Sequence, residues 1–142
     1  MDLKFGEASE RNLEGVHPQL VAVVRKALSY GIIDFSVREG VRTLERQKLL
    51  LDQGATKTLD SKHIKQADGF GHAVDLYPSP IDMVKVNKGD CREIVRFGLI
   101  AGCMLRAAEE VGLKIRWGAD WDSDGQVLDH TFFDAPHFEI VP

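Results

Sequence analysis

The residues with the clearest chemical potential lie at the carboxyl end of the chain. Asp134 precedes His137 by three residues, and Glu139 follows in what the alternating pattern predicts to be a terminal strand. A carboxylate can move protons while a neighbouring histidine holds a metal ion, which is a useful combination for a hydrolase. Because Asp-x-x-His arises often by chance, the pair predicts a site only together with ligands elsewhere in the chain.

Other histidine and carboxylate side chains are candidates for those ligands. A catalytic zinc ion keeps three protein ligands of these types and one open position for water. His63 lies in a polar loop before a predicted strand, and Asp75 lies within that strand. Two adjacent strands could bring both side chains to His137. Spacing alone also leaves each of the five histidines the simpler interpretation of a surface or hydrogen-bonded residue.

An acidic loop predicts a second metal site. The first, third, fifth and sixth positions of an EF-hand-like calcium loop are filled by Asp120, Asp122, Asp124 and Gly125. The glutamate that closes such a loop at its twelfth position is absent, because Thr131 stands there, and Asp129 is the expected replacement. We expect bound calcium to order the segment leading into Asp134 and so to switch catalysis on. The alternative is a polar turn without an ion.

The hydrophobic pattern predicts the elements that position these residues. Helices are expected over residues 18–30, 44–53 and about 91–111, and Ser9 is expected to cap one short helical turn before them. Strands are expected over residues 32–41, 72–77, 114–118 and 138–141, with loops over 55–71 and 80–89. Mixed helices and strands with hairpin-length gaps late in the chain predict an α+β fold rather than βαβ winding.

Length and composition are those of a globular protein. The 142 residues are expected to form one domain over 1–142, with 44% apolar and 28% charged residues. A net charge of -4 and a pI near 5.7 argue against nucleic-acid binding. No apolar run has the length of a membrane span, and the amino end lacks the pattern of a signal peptide, so we expect synthesis in the cytoplasm.

Five motifs occur in the order found in a known enzyme family. They are Gly40-Val-Arg42-Thr, Ser61-Lys-His63, Gly71-His-Ala-Val-Asp75-Leu, Trp117-Gly-Ala-Asp120-Trp and Asp134-Ala-Pro-His137-Phe-Glu139. From about Lys4 to Val141 the chain resembles the phage endolysin L-alanyl-D-glutamate peptidases. That family is related to the D-alanyl-D-alanine carboxypeptidases, in the zinc peptidase group that includes the hedgehog signalling domain. The resemblance implies a small, mainly antiparallel sheet that carries the zinc site and is packed by about three helices.

The resemblance also implies roles for individual residues. The positions that match the family's zinc ligands are His63, Asp75 and His137. Asp134 matches the catalytic base, and Arg42 matches the arginine that steadies the polarised carbonyl oxygen, unless it forms only a surface salt bridge. Ser61 is expected to help shape the substrate site. Glu139 either orients a ligand or is a solvated edge residue.

One spacing departs from the family pattern. The first histidine and the aspartate are usually seven residues apart, whereas His63 and Asp75 are twelve apart. The extra residues, within 64–70, must form a loop. His72 is an alternative ligand, but in a strand its side chain would point away from the face that carries Asp75. His17 and His130 are expected not to bind the metal.

The resemblance implies a zinc-dependent endopeptidase that cleaves the L-alanyl-D-glutamate bond of peptidoglycan stem peptides for host lysis. It would be a monomer that binds neither nucleic acid nor membrane. After synthesis in the host cytoplasm it would reach the cell wall through a holin. One alternative is a D-alanyl-D-alanine carboxypeptidase that uses the same zinc site. Another is a non-catalytic zinc-binding interaction domain, although binding alone would require neither Asp134 nor Arg42.

Overall fold

Helices and a single small sheet make up the computed structural model, which describes residues 2–54, 61–126 and 134–142. In chain order the elements are α1 (Glu7–Leu13), α2 (Pro18–Ser29), β1 (Phe35–Glu39), α3 (Leu44–Asp52), β2 (Ala73–Pro78), α4 (Met83–Asn87), α5 (Cys91–Val111), β3 (Ile115–Trp117) and β4 (His137–Ile140). None of the helices in these ranges is long and apolar enough to cross a membrane. The α+β fold class expected from the sequence is confirmed.

The sheet brings distant parts of the chain into one row. Its strand order is β1-β2-β4-β3, and all three pairings are antiparallel. Asp75, near the middle of β2, faces His137 of β4 on one side and Glu39 of β1 on the other. A register shift between Val37 and Glu39 sets the second pairing. Three polar residues from separate strands are therefore neighbours across the sheet.

The hydrophobic core covers one face of the sheet. Helices α2 and α5 pack together, and their buried residues include Leu20, Val23, Val24, Ile100, Met104 and Ala107. They join the buried side chains Val74, Leu76 and Phe138 of the sheet in one hydrophobic cluster. Because side chains alternate along a strand, Asp75 and Tyr77 lie on the other face of β2. That face is left for polar chemistry.

Local end signals explain why the three long helices were predictable. The side chain of Thr43 accepts a hydrogen bond from Arg46 N–H at the start of α3, and that of Asp90 accepts one from Arg92 N–H at the start of α5. Gly112 ends α5 in the left-handed conformation at φ +84°. Each helix lies within one or two residues of its predicted range.

Two expectations about local structure are wrong. Ser9 does not cap a helical turn, because Gly6 is the N-cap of α1, and Ser9 Oγ instead accepts a hydrogen bond from Val37 N–H at 3.0 Å. The segment from Pro80 to Gly89 is not all loop, since Asp82 caps the short helix α4 through two backbone N–H groups. The described residues thus contain five helices where about three were expected.

Candidate metal centre and catalytic residues

His63, Asp75 and His137 meet at the centre of the polar face. His63 Nε2 lies 3.2 Å from Asp75 Oδ1, and His137 Nδ1 lies 3.2 Å from His63 Nε2 and 3.3 Å from Asp75 Oδ1. Both imidazoles are almost completely buried. The predicted ligand set is therefore brought together as a triangle of three potential donor atoms.

The outer nitrogens of both imidazoles have their own acceptors. His63 Nδ1 lies 2.8 Å from the carbonyl oxygen of Gly40, and His137 Nε2 lies 2.7 Å from Glu139 Oε1. A carbonyl or carboxylate oxygen only accepts, so each of these outer nitrogens carries the hydrogen. In the neutral imidazoles the inner nitrogens, which face Asp75, then carry the lone pairs, and this is the tautomer required of a metal ligand.

The spacing of the triangle fits a tetrahedral metal ion. Ligand atoms about 2.0–2.1 Å from a zinc ion lie about 3.3–3.4 Å from one another in tetrahedral geometry. Two imidazole lone pairs and a carboxylate oxygen at such distances repel each other unless a cation or a proton lies between them. Three protein ligands also leave one open position, as a catalytic site requires. This group of residues could hold a metal ion.

Glu139 supports His137 from the neighbouring position on the same strand face. Its other carboxylate oxygen accepts hydrogen bonds from Arg116 Nε at 3.0 Å and Nη2 at 2.8 Å. Burial raises the pKa of Glu139, but hydrogen bonds from His137 and Arg116 outweigh burial and hold it below its usual value. Glu139 is only 6% exposed, so the solvated-edge alternative is wrong.

Asp134 lies in the turn that leads into β4. Its backbone N–H donates to Gly118 O at 2.8 Å, and its carbonyl oxygen accepts from His137 N–H at 3.1 Å. Burial and the nearby negative charge of Asp75 raise the pKa of the Asp134 carboxyl, although His137 and other cations partly offset them. A raised pKa suits a group that must both accept and release a proton.

Arg42 is a partly buried residue beside the candidate metal ligands, and it forms an ion pair with Glu39. Its guanidinium donates to both carboxylate oxygens of Glu39, at 2.6 and 2.8 Å, and to Gln47 Oε1 at 2.7 Å. Its backbone N–H donates to His63 O at 2.8 Å. Burial lowers the pKa of Arg42, but Glu39, Asp75 and Asp134 outweigh it, so the guanidinium stays charged.

Two residues that hold Arg42, Gln47 and Glu39, were not predicted from the sequence. Gln47 is fully buried although it lies in a helix with many exposed residues, and its polar side chain faces inward to reach the guanidinium. Glu39 owes its place opposite Asp75 to the register shift in β1. The sequence signal that could have indicated Gln47 is a glutamine one turn after the Thr43 cap, on the inward face of the helix. No sequence pattern indicated the contact of Glu39 with Arg42.

The remaining loop residues near the site have structural contacts. Ser61 Oγ accepts a hydrogen bond from His63 N–H at 3.2 Å, which supports the turn that carries this ligand. The inserted residues 64–70 form a compact turn in which Gln66 N–H donates to Phe70 O at 2.8 Å and Gly69 N–H donates to Gln66 O at 2.9 Å. The insertion therefore leaves His63 free to face Asp75.

The other two histidines in the described ranges, His17 and His72, lie apart from the triangle. His72 Nε2 lies 2.7 Å from Asp68 Oδ2, on the inserted turn, and not among the three ligand atoms. His17 caps α2, since its Nδ1 accepts a hydrogen bond from Gln19 N–H at 3.1 Å. The expectation that His130 is not a ligand concerns a position outside the described residues.

The acidic loop forms a second cluster of carboxylates. Potential ligand atoms of Asp120, Asp122 and Asp124 all lie within 4.8 Å of one another. The two carboxylate oxygens of Asp120 accept hydrogen bonds from Asp124 N–H at 3.2 Å and Gly125 N–H at 2.9 Å. Asp129, the expected closing ligand, lies outside the described residues. This cluster could hold a cation, although exposed acidic groups are common without one.

A cavity of about 320 Å³ opens beside Asp134. It lies between β2, α4, α5 and the turn before β4, and its walls are mainly apolar. The wall residues include Tyr77, Met83, Val86, Asn87, Phe97 and Pro136. A cavity next to a candidate catalytic carboxyl is suited to part of a substrate. The other described cavity, about 360 Å³ at the end of α5, contains none of the candidate site residues.

Comparison with known proteins identifies the family. Residues 1–141 match the profile of the family described as phage L-alanyl-D-glutamate peptidase. The L-alanyl-D-glutamate peptidase of Escherichia phage T5 is 32% identical over 148 residues, which cover 99% of this chain and 100% of that protein. The crystal structure of Serratia marcescens L-Ala D-Glu endopeptidase ChiX matches with a TM-score of 0.75 and 34% identity, over 99% of this chain and 92% of that one. The chain therefore belongs to the phage L-alanyl-D-glutamate peptidase family.

Proposed function

We propose that this protein is a zinc-dependent endopeptidase that cleaves the L-alanyl-D-glutamate bond of peptidoglycan stem peptides. The observation that carries the proposal is the triangle of His63 Nε2, Asp75 Oδ1 and His137 Nδ1, with edges of 3.2–3.3 Å and the Asp134 turn beside it. The bond is named from the phage T5 and Serratia relatives, whose printed names give that specificity. Residues 1–142 would form one catalytic domain.

Zinc is the metal that the donor set favours. Two neutral imidazoles, one carboxylate and an open fourth position are typical of catalytic zinc sites. When bound, zinc supplies Lewis acidity that acidifies water and polarises a carbonyl group. The chain's own contribution is to hold His63 and His137 in fixed orientations through Gly40 O and Glu139.

Asp134 would act as the general base. It would take the proton of the attacking water and pass it to the leaving amine of the D-glutamyl residue. The raised pKa of its half-buried carboxyl supports this role, because a more basic carboxylate accepts the proton of water more readily. Its position in the turn immediately before β4 keeps it close to His137 but outside the ligand triangle.

Arg42 would face the negative charge that develops on the carbonyl oxygen of the scissile bond. The bidentate hydrogen bond to Glu39 and the single hydrogen bond to Gln47 fix the guanidinium, so little reorganisation is needed during the reaction. The backbone hydrogen bond from Arg42 N–H to His63 O at 2.8 Å supports this role, because it joins Arg42 to a candidate metal ligand.

The cavity beside Asp134 would receive the uncharged acyl side of the substrate, with the L-alanyl methyl group. Asp134 is the charged residue among the cavity walls in the described ranges, and the rest of the lining is mainly apolar. The leaving side carries the D-glutamyl α-carboxylate, which Asp134 would repel there. Ser61 would help shape the substrate site through the turn that carries His63.

Membership of this family supports a proposal about the biological setting. We propose that the protein is a phage endolysin that is made in the host cytoplasm and acts as a monomer on the periplasmic cell wall after holin-mediated release. Calcium bound by Asp120, Asp122 and Asp124, with Asp129 as the closing ligand, would order the loop beside the site. The low calcium concentration of the cytoplasm would then keep the enzyme poorly active until release.

Mass spectrometry of purified peptidoglycan digested with zinc-loaded protein tests the proposed activity. New amino-terminal D-glutamate is the expected product. Release of D-alanine would instead indicate a D-alanyl-D-alanine carboxypeptidase, and no cleavage would indicate a non-catalytic zinc-binding domain. Protein treated with a chelator and reloaded with zinc should regain cleavage, whereas the Asp134→Ala variant loaded with zinc should keep no more than about a hundredth of the activity.

A further inference from the structure

The dipeptide Trp117–Gly118 makes three hydrogen bonds to the segment that joins the proposed base to the last metal ligand. Gly118 N–H donates to His137 O at 2.7 Å, and Gly118 O accepts from Asp134 N–H at 2.8 Å. The indole Nε1–H of Trp117 donates to Ala135 O at 2.6 Å. Asp134, Ala135 and His137 are thus each hydrogen-bonded to the end of β3 or the residue that follows it.

Gly118 approaches this turn more closely than any other residue type could. A Cβ atom at position 118 would lie 2.2 Å from Asp134 O and 3.0 Å from the Cβ of His137. The first distance is far inside van der Waals contact, and the atom it meets is a backbone oxygen that cannot move without moving the turn. The missing side chain therefore sets the separation between β3 and Asp134.

Trp117 is itself held by the hydrophobic core. It pairs with Phe138 across the β3–β4 ladder, and the two rings are nearly parallel, with centroids 6.5 Å apart and an interplanar angle of 13°. Phe138 is fully buried. The indole N–H consequently donates to Ala135 O from a fixed position. This hydrogen bond holds the turn in place relative to the sheet.

We propose that Trp117 and Gly118 are positioning residues that fix the Asp134 carboxyl relative to the metal ligand His137. The inference rests on the proposed function, because it assigns the base of that reaction its geometry. Two other bonds hold the turn, from His137 N–H to Asp134 O at 3.1 Å and from Leu76 N–H to Pro136 O at 2.9 Å. Neither connects the turn to β3, so they do not set the separation of Asp134 from that strand.

Two variants test the proposal. Trp117→Phe keeps an aromatic ring against Phe138 but removes the donor to Ala135, and Gly118→Ala introduces the clash with Asp134 O. A shift of about 1 Å in a catalytic group can reduce turnover about 100-fold. We expect kcat to fall at least about tenfold in both variants, with KM and bound zinc per chain unchanged. Unchanged kcat in Trp117→Phe would overturn the proposal.

Matched controls separate positioning from general destabilisation. Gly98→Ala and Gly102→Ala add the same methyl group where nothing lies within 4 Å of it, so these variants should retain full activity. In the Asp134→Ala background, Trp117→Phe should change the residual rate by less than about twofold, because it acts through a base that is already absent. A further tenfold loss in that background would mean that Trp117 does not act through Asp134.

Hydrogen exchange gives a result that does not depend on cleavage. In the zinc-loaded protein, Trp117→Phe and Gly118→Ala should speed exchange of the Asp134 amide, which donates to Gly118 O, but not that of Ile100 in the buried part of α5. If exchange at Asp134 is unchanged, the proposal fails even where cleavage has been found. If the unmodified protein does not cleave but exchange changes as expected, the structural role stands and the proposed function fails.

Discussion

Asp75 and His137 are direct partners across the β2–β4 ladder, and their side chains meet at 3.3 Å between Oδ1 and Nδ1. Sixty-two residues separate them in the chain, so the strand register rather than local sequence sets this contact. Without a metal, burial lowers the pKa of His137, but hydrogen bonds to Asp75 and Glu139 outweigh it and raise the pKa to about 9. A proton and a metal ion therefore compete for the same nitrogen.

Zinc affinity should consequently fall as the pH falls below about 9. His137 must lose its proton before Nδ1 can bind a metal, so each pH unit below its pKa should weaken zinc binding about tenfold. Competition with a chromophoric chelator between pH 6.5 and pH 9 measures this slope. Affinity that stays constant over that range would show that His137 is already neutral in the metal-free protein.

The same pKa shift predicts how the stability of metal-free protein depends on pH. The pKa of His137 is raised from 6.5 to about 9, so protonated His137 stabilises the folded state fully below about pH 6.5, and this contribution is lost as the pH rises through 9. Urea unfolding of metal-free protein should show this decline. The Asp75→Asn variant should show less of it, because the charge of the ion pair has been removed.

Glu139→Gln should weaken zinc binding about tenfold, as loss of a residue that orients a metal-bound histidine typically does. The neutral amide loses the ion pair with Arg116 and no longer strongly favours the N–H at His137 Nε2. Glu10→Gln is the matched control, since it disrupts an exposed glutamate–arginine pair with Arg25. Isothermal titration with zinc should distinguish the two variants, and equal affinities would contradict the role of Glu139.

Arg42→Lys should lower kcat about 100-fold while zinc content stays unchanged. Lysine keeps the charge but cannot form the two-point contact with Glu39 while also reaching Gln47, so the cation would no longer be fixed near the scissile carbonyl. The control is Arg25→Lys, in which an exposed bidentate pair with Glu10 is changed in the same way. A rise in KM with kcat unchanged would instead make Arg42 a ground-state binding residue.

The sequence predicted the parts of the molecule that local chemistry controls. Thr43 and Asp90 cap helices α3 and α5 through their own side chains, so short segments carried enough information to locate both helix starts. The contacts of Glu39 and Trp117 depend instead on a register shift and on strand pairing, which involve residues distant in the chain. Their contributions could be recognised only once the sheet was assembled.

The candidate metal ligands were only partly predictable from the sequence. His63, Asp75 and His137 were identified from ordered motifs that resemble a family, while spacing alone left other histidines open. The structure adds a physical reason for excluding His72, because its imidazole contacts Asp68 of the inserted turn. The five additional residues between His63 and Asp75 form that turn, and His63 still contacts Asp75.

Replacing Asp122 and Asp124 by Asn should make the cleavage rate of zinc-loaded protein independent of calcium. Three carboxylates within 4.8 Å repel one another, and a bound cation would relieve that repulsion and order the loop. The loop can affect the metal centre through Trp121, whose ring centroid lies 5.6 Å from that of His137. We expect added calcium to raise the rate of the unmodified protein but not of the variant, with tryptophan fluorescence changing in parallel. If chelator-treated protein restored with zinc alone is as active as protein given zinc and calcium, the acidic loop is a polar turn and not a switch.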